Sequence, residues 1–332
     1  MKESATAMSD YMTHDHQDDG IDRRGMLRCM AWAGAGVVWA LSGGRVTSQA
    51  LADAPTAALA GGSTADFTFV QISDSHIGFG KAANKNVVGT FEEAVRRVNA
   101  LPAPPAFVIH TGDHVHLSTM AEFDTARQIM GTIKADRTYN VPGEHDVFVD
   151  HGKRYLQVFG RGSRGSGYYS FDYKGVHFLA LANVQQAEGM GGLTGLGLLG
   201  PQQLDFITKD LAPLSADTPL VIFSHVPLLA VYPKWGWATK DSAQVLALVQ
   251  RFSSVTALNG HIHQIISKTE GNIVMHTAAS TAFPLHAPGN VAPTPLVLPA
   301  GQLAARLGIR TVGFVRGTSS LALKDESLAP GA

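Results

Sequence analysis

The side chains able to do chemistry in this chain fall in five short clusters: Asp74-Ser75-His76, Gly112-Asp113-His114, Gly143-Glu144-His145-Asp146, Ser224-His225 and Gly260-His261-Ile262-His263. They offer carboxylate oxygens and neutral imidazole nitrogens, the donor mix that hard and borderline divalent cations take. A pair of ions sharing one oxygen needs about seven or eight protein ligands arriving from several segments. These clusters hold enough of both kinds, which is the pattern of a two-metal hydrolase.

The flanking sequence must bring them together. Phe67 to Ile72 is apolar and rich in β-formers, Thr90 to Ala100 has helical spacing, and Ala106 to Thr111 is strand-like again. Helix Met120 to Ile133 and strand Arg137 to Val141 repeat the order. This βαβαβ succession predicts a mostly parallel, buried sheet with helices outside. Tyr168 to Tyr173 and Val176 to Leu181, joined by Lys174-Gly175, have the form of a hairpin. A glycine-rich loop, Gly189 to Gly200, leads to Pro201 at the first turn of a helix, Gln202 to Leu211. It lacks a following Gly-Lys-Ser/Thr and a strand to feed it, so it reads as a connection and not as a phosphate cradle. Strand Pro219 to Phe223, helix Asp241 to Phe252, and strands Val255 to Leu258 and Asn272 to His276 complete the core. A proline-rich stretch from Pro284 to Pro299 then leads into the tail.

Each cluster follows an apolar run that reads as a strand, and open α/β sheets place their sites at the carboxyl ends of strands. Asp74 and His76 lie two apart, so they share one face of a strand and can grip one ion; Asp and Ser also end strands as turn formers. Asp113 follows Gly112, which lets the chain turn sharply off the sheet; it reads as a carboxylate between two ions or as a helix cap. Glu144-His145-Asp146 crowds three ionisable groups onto one tight loop, with Asp146 placed to orient His145. A lone histidine such as His225 on an apolar strand is more often a core residue than a ligand. The pair His261 and His263 is harder to explain that way, because both imidazoles would point together. His114 and His116 are near enough to Asp113 to serve as outer partners of the cluster.

With 332 residues, 45% hydrophobic and 16% charged, and a formal net charge of -1, the chain has globular composition. There is no basic excess to suggest a nucleic-acid polymer as partner, so any phosphate preference comes from a local site. The single cysteine, Cys29, precludes a disulfide and thiolate chemistry in the mature chain. Arg23-Arg24 precedes an apolar stretch, Met30 to Leu41, far shorter than the ~20 residues of a membrane-spanning helix. With Ala-x-Ala sites at Ala50 and Ala58, it resembles a twin-arginine leader. This implies the twin-arginine export machinery as a partner, a periplasmic or secreted location, and no permanent membrane anchor. Histidines 14 and 16, with their neighbouring aspartates, fall in this discarded segment and have no role.

Taken in order, Asp-x-His, Gly-Asp, Gly-x-His-Asp, a lone His and Gly-His-x-His resemble the signature of the calcineurin-like metallophosphoesterase family, over Phe67 to Ala279. The subgroup acting on cyclic nucleotides is the nearest likeness. The resemblance implies an α/β fold, a four-layer αββα sandwich of two mixed β-sheets flanked by helices. It implies two divalent metal ions, Fe, Mn or Zn. Asp74, His76 and His263 would hold the first, Asp113 would bridge, and Glu144, His225 and His261 would hold the second. His145 would protonate the leaving group, oriented by Asp146, while a hydroxide shared by the ions attacks a small-molecule phosphoester. The implied layout is a leader over residues 1–60, a metallophosphoesterase domain over 65–285 and a proline-rich C-terminal extension over 286–332.

One position departs from the family, which has Asn where this chain has Glu144. The extra carboxylate removes one unit of positive charge and leaves the loaded centre formally neutral. That favours a different metal choice, or diesters over doubly charged monoesters. It also leaves open an alternative, a metal-binding or sensor protein without turnover. A metal-dependent peptidase is disfavoured for want of a His-Glu-x-x-His helix. The segment Tyr232-Pro233-Lys234-Trp235-Gly236-Trp237 reads as a cover on the core edge, or as a surface on which a nucleobase or aryl group stacks.

Overall fold

The computed structural model describes residues 37–42, 45–50, 65–184, 197–287, 292–316 and 321–331. An antiparallel hairpin, β1 (Val37–Ser42) with β2 (Arg45–Ala50), lies in the stretch read as a leader. The twin arginines, Cys29, His14, His16 and most of the glycine-rich loop lie outside the described residues.

Alternating burial along the strands sets the layering. Strand β3 (Phe67–Ile72) turns Phe67 and Phe69 to one face and Val70 and Ile72 to the other, as a pleat of period two requires. It runs parallel to β4 (Val108–His110), which runs parallel to β5 (Thr138–Asn140). Helix α1 (Val87–Asn99) crosses between the first two and buries Val87, Phe91, Ala94, Val95 and Val98, the stripe of an amphipathic helix. Helix α2 (Met120–Met130) crosses between the next two. It starts on a capping box: the Glu122 N–H donates to Thr119 Oγ1 at 3.3 Å, and the Thr119 N–H donates to Glu122 Oε2 at 3.0 Å. A one-turn helix α3 (Glu144–Val147) and helix α4 (Lys153–Phe159) follow β5.

The second sheet begins with the expected hairpin, β6 (Tyr169–Tyr173) and β7 (Val176–Leu181), turned by Lys174 and Gly175 at φ 45° and 85°. Helix α5 (Pro201–Leu211), strand β8 (Leu220–Ser224), helix α6 (Ser242–Val249) and strands β9 (Val255–Asn259), β10 (Ile266–Glu270) and β11 (Ile273–Thr277) follow. Strand order is β10-β11-β9-β8-β7-β6, parallel through the middle four and antiparallel at both edges.

The tail corrects the expected domain boundary at residue 285. Strand β12 (Gly308–Phe314) lies antiparallel to β3, and β13 (Ala322–Ser327) lies antiparallel to β12, so the first sheet reads β13-β12-β3-β4-β5. The stretch expected as an extension therefore supplies two strands of the first sheet. Strand β12 covers the edge that β3 would otherwise leave unpaired, and Val312 and Phe314 complete the core beneath it.

The two sheets meet face to face through Phe67, Phe69, Phe107, Phe178, Phe223 and Leu258. Phe69 and Phe107 stack with centroids 4.9 Å apart, and Phe178 meets Phe69 edge-on at 5.6 Å. Phe91 and Phe123 cover the outer face of the first sheet, and Ile207 and Val245 that of the second. The result is the expected αββα sandwich of two mixed sheets.

A buried arginine ties the layers beneath the strand ends. Arg310 of β12 donates to both carboxylate oxygens of Asp325, at 2.8 and 3.1 Å, and to the Thr277 carbonyl of the opposite sheet at 3.1 Å. It also donates to Gln71 Oε1 at 3.3 Å, and Gln71 Nε2 donates to the Asn259 carbonyl at 3.2 Å.

Candidate metal centre

Strands β3, β4, β5, β8 and β9 all end on one rim, and each delivers one cluster there. The turns that follow are tight: Asp74, His76, Asp113, His261 and His263 have φ between 41° and 68°, a left-handed conformation rarely stable for side-chain-bearing residues. Strain of this kind gathers at functional sites. It also corrects the idea that Asp74 and His76 share the face of a strand, because the chain has left the pleat by then. Glycine is needed at two positions around these turns for lack of room. A Cβ on Gly143 would lie 2.0 Å from Asp113 Oδ1, and one on Gly112 would lie 2.6 Å from His225 Nδ1.

Among the groups of side chains close enough to hold one cation are Asp74, His76 and His263, and Glu144, His225 and His261; others add Asp113, or join His116 and His145 to His76. In the first, His263 Nε2 lies 3.2 Å from Asp74 Oδ1 and 3.2 Å from His76 Nε2. In the second, Glu144 Oε2 lies 2.8 Å from His225 Nε2, and Glu144 Oε1 lies 2.9 Å from His261 Nδ1. Asp113 stands between them, its Oδ2 3.5 Å from His76 Nε2 and 3.4 Å from His225 Nε2. All seven side chains expected at the centre converge there.

The donor set fits divalent cations. Asp74 Oδ2, Glu144 Oε2, His225 Nε2 and His261 Nε2 are buried without a hydrogen-bond partner, although an unsatisfied buried polar atom costs ~1–3 kcal/mol. Groups that crowd lone pairs together and leave them unpaired are satisfied by a cation. The outer nitrogens are held as metal-binding imidazoles require: His225 Nδ1 donates to the Thr111 carbonyl and His263 Nδ1 to the Phe283 carbonyl, both at 2.7 Å.

Electrostatics points the same way. Burial opposes ionisation of Glu144, yet the imidazoles of His261 and His225 hold its carboxyl well below the usual range. Burial likewise opposes ionisation of Asp74, and His263 outweighs it and keeps the group below its ordinary value. Asp113 is pushed up by burial and by the neighbouring Glu144 carboxylate. Burial and the adjacent imidazoles push His76 well below its ordinary value, so it is neutral, as a ligand must be.

His145 and Asp146 part company. The His145 N–H donates to Asp113 Oδ1 at 2.9 Å, and its Nδ1 donates to the His116 carbonyl at 2.7 Å. Asp146 does not orient His145, because successive residues of a helical turn point in different directions. Its Oδ2 instead lies 2.9 Å from His114 Nδ1 and accepts the Gly143 N–H at 2.9 Å, while Oδ1 accepts the Val115 N–H at 3.1 Å. Asp146 thus laces the turn after β5 to the turn after β4. Burial works against a charged His145, but Asp113 and Glu144 outweigh it and raise the group above its ordinary value.

Three further side chains stand at the rim: His116, which the sequence offers as an outer partner, and Trp235 and Trp237, which it offers as a core cover or a stacking surface. His116 packs against His145, ring centroids 4.6 Å apart. Trp237 lies over His261, centroids 4.4 Å apart, and Trp235 lies 5.1 Å from Trp237. The aromatic segment is therefore a wall of the centre.

This fold and this rim define a metal-dependent phosphoester hydrolase. The chain belongs to the calcineurin-like phosphoesterase family, which it matches over residues 67–265. It is 24% identical to a glycerophosphodiester phosphodiesterase of Enterobacter lignolyticus over 58% of this chain and 70% of that protein. In fold it is similar to a dimetal phosphatase from Danio rerio, with TM-score 0.61 and 15% identity over 80% of this chain and 98% of that one. A purple acid phosphatase from yellow lupin superposes with TM-score 0.56 and 15% identity over 82% of this chain and 53% of its own.

Proposed function

We propose that the protein is an exported phosphodiesterase that uses two divalent ions, Fe, Mn or Zn, to hydrolyse a small phosphoester. The observation that carries this reading is the placement of Asp113 between two triads in which Asp74 Oδ2, Glu144 Oε2, His225 Nε2 and His261 Nε2 are buried without a hydrogen-bond partner. Asp74, His76 and His263 would hold one ion, Glu144, His225 and His261 the other, and Asp113 would serve both. Such ions supply Lewis acidity toward phosphoryl oxygens and an acidified water as nucleophile.

The chain's own residues supply the rest. Asp113 also accepts the His145 N–H, which ties the general acid to the centre. With Nδ1 engaged by the His116 carbonyl, His145 has Nε2 left to donate a proton to the departing alkoxide. The Trp237 and Trp235 wall gives an aryl or nucleoside group a surface on which to stack.

Preference for diesters rests on Glu144, whose charge makes the centre less attractive to a dianion. The cyclic-nucleotide likeness and the glycerophosphodiester relative both point to diesters. Export rests on Arg23-Arg24 ahead of a short apolar stretch. No helix among the described residues is long and apolar enough to cross a membrane.

The test is a panel of one cyclic nucleotide, one glycerophosphodiester and one monoester, with Asp113→Asn as control. Diester turnover that disappears in the variant supports the proposal. Monoester-only turnover would refute the diester assignment. Replacing Arg23 and Arg24 with lysine should retain the protein in the cytoplasm, and unchanged export would refute the twin-arginine route.

A further inference from the structure

We infer that His116 is a positioning residue for the first ion, acting through its ring on His76. This rests on the two-ion reading above. Two imidazoles of the centre, His225 and His263, are anchored at Nδ1 by main-chain carbonyls. His76 is not. Its Nδ1 faces Nδ1 of His116 at 3.4 Å, so a side chain does for His76 what the backbone does for the other two.

The proton bookkeeping is definite. An imidazole that binds a cation through Nε2 carries its proton on Nδ1, so His76 donates and His116 Nδ1 accepts. The proton of His116 then sits on its own Nε2. The ring is held for this task by Phe79, edge-on at 5.2 Å, and by His145, nearly parallel at 4.6 Å.

His116 also offers its main-chain carbonyl to His145 Nδ1 at 2.7 Å. The two duties belong to different atoms, and mutation separates them. A change of side chain removes the acceptor for His76 and leaves the carbonyl for His145 in place. Loss of an outer partner of a metal-binding histidine costs roughly 10–100-fold in metal affinity. At 3.4 Å this contact is long, so the lower end is expected.

The test is calorimetric titration of the metal-free full chain with Mn²⁺, comparing wild type with His116→Leu, which lacks an acceptor, and His116→Asn, whose Oδ1 can replace Nδ1. His116→Ala stands in if the leucine variant does not fold. The expected result is two binding events in wild type, one of them weakened about tenfold in His116→Leu and largely restored in His116→Asn. Equal affinities in all three proteins, or an equal loss with Leu and Asn, would overturn the inference. Wild type binding fewer than two ions would instead overturn the reading on which it rests.

Discussion

Glu144 Oε2 lies 2.8 Å from His225 Nε2, both atoms are buried, and neither has a hydrogen-bond partner. A carboxylate and an imidazole held this way point at a common third object. Where the family resemblance implies a neutral amide, this chain has a carboxylate, so an ion held by Glu144, His225 and His261 would sit in a more strongly anionic cage.

Replacing Glu144 with asparagine restores one unit of positive charge and should move the monoester-to-diester ratio of kcat/KM toward monoesters. About tenfold is expected, equivalent to ~1.4 kcal/mol. An unchanged ratio on paired aryl mono- and diesters would count against the charge argument.

Gly143→Ala places a methyl group 2.0 Å from Asp113 Oδ1 and 2.3 Å from the Asp113 nitrogen. Neither the backbone nor a buried carboxylate that accepts the main-chain N–H of His145 can readily give way. The variant should lose metal uptake and ~1–3 kcal/mol of stability. Wild-type metal content and melting temperature would show that the turn relaxes freely.

His177 gives a pH signature remote from the centre. Its Nδ1 lies 2.9 Å from Asp172 and its Nε2 2.9 Å from Asp210. Burial opposes the charge, but the two carboxylates outweigh it and raise the group above its ordinary value. The folded form therefore binds the proton more tightly, and the added stability is fully present below the unfolded value of ~6.5. It fades as pH rises through the raised folded value. Wild type should melt above His177→Gln in mild acid, and the gap should narrow as the solution is made alkaline. A gap independent of pH would rule out the charged clasp.

Arg310→Leu should cost about 3 kcal/mol in urea denaturation, because it strands Asp325 and removes the arginine donor to Thr277 and Gln71. A cost below ~0.5 kcal/mol would mean that the stitch between the sheets is dispensable.

Alanine at Trp235 and Trp237 should raise KM for a nucleotide diester while leaving a small alkyl diester unaffected. Equal effects on both substrates would favour packing over stacking.

Much of the centre was legible because each cluster follows an apolar strand. Gly112 and Gly143 sit where the folded chain has no room for a side chain. The contacts of Asp146 and His116 were not legible, since adjacency in sequence says little about contact in a tight turn. Asp146 reaches His114, and the ring of His116 reaches His76. Strands β12 and β13 were hidden behind the proline-rich stretch. The partner of β12 in the sheet, β3, is more than two hundred residues away, a pairing that no local pattern encodes. The edge strand β10, half-buried and polar in part, gave no clear alternation.

The most direct test of the central claim is a titration of metal-free protein with divalent metal, followed by initial rates on bis(4-nitrophenyl) phosphate. Two cooperating ions predict turnover that climbs to a plateau at about two equivalents and falls to background with chelator. A plateau at one equivalent, or no turnover with both sites filled, would contradict it.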